Sequence, residues 1–296
     1  MVSLRWPNGV SCPQCGSSKI KFLANARLWK CYSKHSKQKF SVKVGTIFED
    51  SPIGLDKWLA AIWMIANCKN GISSYEIGRE IGVTQKTAWF MLHRIRLAMQ
   101  TGSFKKFSGE IEVDETFIGG LARNMHKAKK KEKIEGAGPV GKTIVMGLLE
   151  RHGIDKNSKI KTAVVPNTGY KTLQDQVRKH AETGSHIFTD ANASYIGLRT
   201  EYAHKVINHA EAYVKGNVHT NGIENFWSLL KRTVKGTYVS VEPFHLFRYL
   251  DEQSLRFNNR KDNNARRFED VLRTITGRRL TYNKLTGKES GDGLSA

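Results

Sequence analysis

Ile111-Glu112-Val113-Asp114-Glu115-Thr116 alternates apolar and polar side chains, the period-two pattern of a β-strand with one face on a core. The alternation puts Glu112, Asp114 and Thr116 on one face. The strand reads as Glu110 to Ile118 and ends at Gly119-Gly120. Thr143 to Glu150 and Ile160 to Val165 read as two further strands, and Tyr170 to Glu182 as an amphipathic helix using Leu173, Val177 and Ala181. His186 to Thr189 is a fourth strand ending at Asp190. Asn192 to Arg199 is a short helix, Lys205 to Asn208 a short fifth strand, and Asn221 to Val234 a helix, with another from Phe244 to Asn258.

Three strands in succession can form a meander, to which parallel strands are added through helical crossovers. The expectation is an α/β fold: a ribonuclease-H-like mixed five-stranded sheet with flanking helices. The stretch from Leu121 to Lys142 holds seven Lys/Arg against two Glu and reads as a flexible basic loop.

Upstream the pattern is helical from Ile53 to Met99. Asp56 is a candidate cap for a helix carrying Trp58, Leu59, Ile62, Trp63, Ile65 and Ala66 on its apolar side. Ser73-Ser74-Tyr75-Glu76 is a capping box opening a second helix that ends at Gly82. Thr84 caps a third, Gln85 to Met99, with Ala88, Leu92 and Ile95 inward. This is the helix-turn-helix pattern. Its last helix is expected to expose Gln85, Lys86, Thr87, His93, Arg94 and Arg96 as a face that reads a DNA groove, a plain helical hairpin being the alternative. Cys68 reads as a small buried apolar residue.

Cys12-Pro13-Gln14-Cys15-Gly16 is a zinc-knuckle turn, and Trp29-Lys30-Cys31 enters a second one. Lys34 cannot ligate a metal; His35, at Cys31-x3-His35, completes a Cys3His set for one structural Zn2+. The alternative is a knuckle without metal, folded around Trp29 and Phe40. The expected organisation is a zinc-ribbon-like module (1–50), a helix-turn-helix-like DNA-binding domain (51–104), a catalytic domain (105–260) and a basic C-terminal tail (261–296).

The 296 residues carry 48 Lys and Arg against 27 Asp and Glu, a net charge of +21. Such an excess points to a polyanionic partner, nucleic acid above all, against the alternative of a merely basic surface. No apolar run approaches transmembrane length, and Met1 to Val10 lacks the apolar segment of a signal peptide. Four cysteines, two of them in a CxxC spacing, suit a metal site in a reducing compartment; the expectation is a cytoplasmic, nucleoid-associated protein.

Asp114 stands where the apolar run that opens its strand ends, and Asp190 ends the fourth strand. Glu224 stands on a helix, seven residues before Lys231 and so on the same face two turns away. Three such acids suit a site that holds two Mg2+ ions about 3.5–4 Å apart on the entering and leaving oxygens of a phosphodiester. Each has a plainer reading, and Asp114 competes with Glu110, Glu112 and Glu115 in its own strand. Asn221 and Glu224 can be the cap and third position of a helix, and Asp190 can start the helix after it.

Val113-Asp114-Glu115-Thr116-Phe117-Ile118-Gly119-Gly120, Thr189-Asp190 and the run from His219 to Arg232 (His-Thr-Asn-Gly-Ile-Glu-Asn-Phe-Trp-Ser-Leu-Leu-Lys-Arg) resemble the signature blocks of bacterial insertion-sequence transposases. These have a DDE-type, ribonuclease-H-like core and an N-terminal zinc ribbon. Phe40-Ser41-Val42, Gly45-Thr46-Ile47-Phe48 and Trp58 resemble the upstream segments of the same group. The resemblance implies a transposase that cuts double-stranded DNA at the terminal inverted repeats of an element and joins the freed 3′ hydroxyl to target DNA. It implies Asp114, Asp190 and Glu224 as the triad for two Mg2+ or Mn2+ ions. Asn221 is rival or partner to Glu224, and Lys231 and Arg232 lie on the DNA. Two ends handled in one event imply at least a dimer on DNA. The alternatives are a non-catalytic sequence-specific DNA-binding protein derived from a transposase, and a ribonuclease acting on RNA–DNA hybrids.

Overall fold

The computed structural model describes residues 1–100, 105–119, 141–152, 157–207 and 219–288. The basic stretch 121–140, Asn208 and the last residues of the expected tail, 289–296, lie outside the described residues. The chain forms two compact units. Among the described residues, one comprises Met1–Cys68, Ile72–Gln100 and 262–288; the other comprises Lys69–Gly71 and those between Thr101 and Lys261.

The first unit opens with a ribbon. Strands β1 (Ile20–Leu23), β2 (Leu28–Cys31) and β3 (Lys39–Phe40) form an antiparallel sheet in that order. Trp29 stacks on Phe40 at 6.0 Å between ring centroids, and Trp6 meets Trp29 edge-on at 5.5 Å. Three helices follow: α1 (Leu55–Asn67), α2 (Ser74–Ile81) and α3 (Gln85–Met99). Gly54, not Asp56, occupies the cap position of α1; Asp56 sits in the first turn, where a negative charge suits the helix dipole. Ser73 and Glu76 form the capping box of α2, and the Thr84 side chain caps α3 through Thr87 N, as the local sequence specifies.

In the second unit β4 (Glu110–Ile118), β5 (Thr143–Glu150) and β6 (Lys159–Val165) form an antiparallel meander. Strand β7 (His186–Asp190) joins the other side of β4 in parallel, and β8 (Ala203–Ile207) joins β7 in parallel. The sheet order is β6-β5-β4-β7-β8. Mixed, five-stranded and flanked by helices, this is a ribonuclease-H-like α/β fold.

The two faces of the sheet are covered separately. On one, Ile111, Val113, Met146, Leu148 and Ile187 pack against Leu173 and Val177 of α4 (Tyr170–His180) and Tyr195 and Leu198 of a 3-10 helix, Ala193–Thr200. On the other, Val145, Leu149 and Ile160 pack against Ile223, Phe226, Trp227 and Leu230 of α5 (Asn221–Thr233) and Leu250 and Phe257 of α6 (Leu246–Asn258). Each fully buried side chain of this size contributes about 1.5–3 kcal/mol of transfer free energy. Helix α4 stops earlier than its sequence pattern suggests because Ala181 turns extended and bridges Phe107, which is buried in this core.

Past α6 the chain returns to the first unit with α7 (Asn264–Arg273), so the basic segment read as a tail is folded through its described part. Phe268 meets Trp63 edge-on at 5.5 Å, Arg267 donates to Asn67 Oδ1 at 3.1 Å, and Ile47 N donates to the Ile275 carbonyl at 3.1 Å.

Candidate active site and metal centre

One face of β4 meets α5 at two points. The Glu112 carboxylate accepts the backbone N–H of Ile223 at 2.8 Å, and Asp114 Oδ2 accepts the indole N–H of Trp227 at 3.0 Å. Two residues advance a strand by about 6.7 Å and four residues advance a helix by about 6 Å, so the two contacts rise in step along both elements. Two glycines make room for them. Gly147 lies opposite Asp114 in the neighbouring strand, and a Cβ there would fall 2.7 Å from the Trp227 ring. A Cβ on Gly222 would fall 2.9 Å from Glu112 Oε2. Glu112 is almost fully buried and also takes Arg151 Nε at 2.6 Å, while Arg151 stacks on Phe188 at 4.4 Å.

The parallel register of β4 and β7 pairs Glu112 with Phe188. Extended by two residues, it brings Asp114 level with Asp190. Burial pushes the Asp114 carboxyl up to about 6, and the negative charges of Asp190 and Glu224 push the same way. Hydrogen bonds from Glu115 N and from Trp227 oppose the rise. Glu115 is pushed up further, to about 8, by burial and then by the charges of Asp114 and Asp190. The structure therefore brings Asp114, Asp190 and Glu224 into one electrostatic neighbourhood and adds Glu115 to it.

Asp190 Oδ1 accepts Asn192 N at 3.2 Å, and Asn192 in turn caps the following 3-10 helix. Glu224 is exposed on α5, with Thr220 Oγ1 donating to its Oε1 at 2.9 Å. Thr220 holds the cap position of α5, and Asn221 is the first helical residue, exposed; the reading of Asn221 as cap and Glu224 as third residue does not describe this helix. Lys231 and Arg232 are exposed in its last turn. The donors of the acidic set are all carboxylate oxygens, which suits a hard divalent ion, and a cation would relieve the like-charge crowding that raises Asp114. The three acids are not drawn to the spacing of a single closed site; among the described residues that spacing belongs to another group.

That group is Cys12, Cys15, Cys31 and His35, whose ligand atoms all lie within 4.8 Å of one another. Cys15 Sγ and Cys31 Sγ are 3.7 Å apart, and Cys12 Sγ and His35 Nε2 3.5 Å. A tetrahedron with Zn–S bonds of about 2.3 Å has edges of about 3.8 Å, so the quartet has the size and chemistry of a structural zinc site. The aromatic packing of Trp29 and Phe40 accompanies this cluster and does not replace it. Cys68 ends α1 half-buried, apart from the quartet.

Helix α3 departs from the expected surface. Lys86 is exposed, its ammonium 5.3 Å from the Tyr282 ring, and Gln85 is half-buried and donates to Ser74 Oγ at 2.8 Å. His93, Arg94 and Arg96, expected on a groove-reading face, are buried. Arg94 donates to the Glu49 carbonyl and lies over Trp58 and Phe90. Burial lowers its guanidinium to about 10, still charged at neutral pH. The local pattern missed this because residues far away in sequence, among them Leu280 and Tyr282, line the same cleft as Arg94. Trp227 and Gly147 also escaped the sequence reading, whereas Glu115, a rival of Asp114 in sequence, joins it in the structure. The one signal for Trp227 was its place four residues after Ile223 and three before Leu230, the spacing of a core face.

Comparison with known proteins agrees with this architecture. The model of the ISXO2-like transposase domain matches residues 106–258, and that of the transposase zinc-ribbon domain matches residues 1–35. An uncharacterized protein in transposable element ISH50 of Halobacterium salinarum is 24% identical over 241 residues, covering 78% of this chain and 80% of that protein. Among the described residues no helix is long and apolar enough to cross a membrane.

Proposed function

The chain belongs to the family of the ISXO2-like transposase domain, and from that premise we propose that it cleaves DNA at the ends of its element and joins the freed 3′ hydroxyl to target DNA. Its transposase and zinc-ribbon domains imply DNA binding, in keeping with the net charge of +21. Asp114 carries the finer reading: its carboxyl is raised by burial and by the charges of Asp190 and Glu224, acids from two other elements. Asp114, Asp190 and Glu224 are the proposed holders of two divalent ions, Mg2+ or Mn2+. Such ions, when bound, stabilise charge on the entering and leaving oxygens of an in-line displacement.

The remaining roles belong to the chain itself. Glu115 N and Trp227 Nε1 orient the two oxygens of Asp114. Lys231 and Arg232, exposed on the helix that carries Glu224, are proposed to contact the DNA backbone. Asn221, exposed three residues before Glu224, is proposed as its partner or as the alternative third residue. Gln85 and Lys86 at the start of α3 are the proposed groove contacts, with Arg94 a framework residue beneath them. Handling two ends requires at least a dimer on DNA.

The test is cleavage of duplex DNA bearing the element's ends, with Mg2+ or Mn2+. Asp114→Asn and Asp190→Asn are expected to bind this DNA as wild type does and to cleave none of it. Comparison of Glu224→Gln with Asn221→Ala assigns the third residue. Wild-type protein that binds the ends but never nicks them would instead identify a DNA-binding protein without catalysis.

A further inference from the structure

We propose that Trp227, seated in a notch made by Gly147, is a positioning residue that holds Asp114 in the orientation in which it accepts a divalent ion. The inference rests on the reading of Asp114 as an ion-binding carboxylate.

Both oxygens of Asp114 are engaged from fixed directions. Oδ1 accepts the backbone N–H of Glu115 at 2.8 Å and Oδ2 accepts the indole N–H of Trp227 at 3.0 Å. A carboxylate offers about four lone-pair sites, so two bonds fix its plane and leave other directions open. The indole itself has little freedom. Trp227 is only 4% exposed, and its ring meets Phe226 edge-on at 5.2 Å. A Cβ at position 147 would lie 2.7 Å from Cζ2 and 2.8 Å from Cη2 of the ring, closer than side-chain carbons approach one another. Glycine at 147 thus lets the edge of the ring come close against β5, and the register of β5 on β4 puts that spot directly opposite Asp114.

Packing alone accounts for a large apolar ring at this position. It does not account for the N–H. A buried indole needs an acceptor, and any carbonyl would serve; here the acceptor is the one acid that shares a neighbourhood with both Asp190 and Glu224. Partners that orient an ion-binding carboxylate change ion affinity when removed, by about 10- to 100-fold in known sites. A core residue with no such role changes stability instead.

The full-length chain separates these roles. Trp227→Phe keeps most of the ring and removes the N–H. Mn2+ binding would be followed by the electron paramagnetic resonance of free Mn2+, and unfolding by urea. The expected result is a folded variant whose Mn2+ affinity falls roughly 10-fold or more and whose DNA cleavage recovers as Mn2+ is raised. Asp114→Asn is the control, expected to weaken or abolish Mn2+ binding. If it does while folded Trp227→Phe binds Mn2+ like wild type, the positioning role is overturned and the ion reading survives. If Asp114→Asn binds Mn2+ like wild type, the ion reading fails and this inference with it. Should Trp227→Phe not fold, Gly147→Ala displaces the same ring and is read the same way: lowered Mn2+ affinity supports the proposal and unchanged affinity overturns it.

Discussion

The backbone N–H of Ile223 donates to Glu112 at 2.8 Å, joining two residues 111 positions apart in the chain. Glu112 also holds Arg151 at 2.6 Å, with both side chains almost fully buried. Glu112 therefore fastens the start of the helix bearing Glu224 to the strand bearing Asp114. Removing one member of a buried ion pair costs about 3–5 kcal/mol where the other charge is stranded; Arg151 retains Glu110 at 3.4 Å and the His219 carbonyl. Glu112→Ala is expected to lose stability at or below the lower end of that range, read from urea unfolding. A change under about 0.5 kcal/mol, the size of an ordinary surface substitution, would show that the fastening is unimportant.

Asp114→Asn should gain stability relative to wild type as pH rises, while removing the activity. The folded Asp114 carboxyl sits near 6, above its ordinary 3.8, so folding penalises the ionised form. Its contribution is most favourable below 3.8, declines as pH rises through 6, and levels off above that. A shift of this size corresponds to about 3 kcal/mol. Asparagine carries no charge but keeps an oxygen for only one of the two N–H donors, Glu115 or Trp227, at a cost that does not depend on pH. Without added Mg2+ or Mn2+, the stability of the variant relative to wild type should therefore rise by about 3 kcal/mol between pH 4 and pH 8. Urea curves at the two pH values measure it, and a gap that does not depend on pH would contradict the burial argument.

Lys86 and Arg94 should separate binding from folding. DNA affinity is expected to fall steeply with salt, since each phosphate contact releases counterions. Lys86→Ala should lower the slope of log affinity against log salt by about 1 and leave the melting temperature unchanged. Arg94→Met should do the reverse, weakening the fold by about 1.5–3 kcal/mol through its lost charged hydrogen bond while the slope holds. Equal effects on the slope from both variants would place Arg94 on the DNA after all.

The ribbon should contain one Zn2+ per chain. Cys31→Ser is expected to release it, and hydrogen exchange should then accelerate through 12–40 while the five-stranded sheet keeps its protection. Retention of zinc by that variant would mean that the metal sits elsewhere.

Where chain-local chemistry decides, the sequence was enough to read the fold. Strand β4 runs from Glu110 to Ile118 because alternation and a Gly-Gly stop agree, and α3 starts at Thr84 because the threonine caps it. The Cys3His set followed from spacing alone. Arg94 was not legible: a cation on a helix normally faces water, but Glu49, Trp58 and a segment almost two hundred residues later together make its surroundings an interior. Trp227 was legible as core, but its bond to Asp114 depends on β5 presenting a residue without a side chain, a fact of register. The basic segment after Asp262 carries charge enough to suggest a solvated tail, yet Phe268, Val271 and Ile275 are spaced to pack against α1 and its neighbours.

The first unit is discontinuous, begun by residues up to Gln100 and closed by those after Asp262. On the ribosome, at about 5–20 residues per second, its α1 to α3 helices wait many seconds for α7 to emerge, exposing Trp63 and Asn67 meanwhile. The ribbon, with every ligand between Cys12 and His35, has no such wait. A gene copy frayed at its 3′ end would therefore yield a protein damaged in its first hundred or so residues, where none of its own codons had been lost.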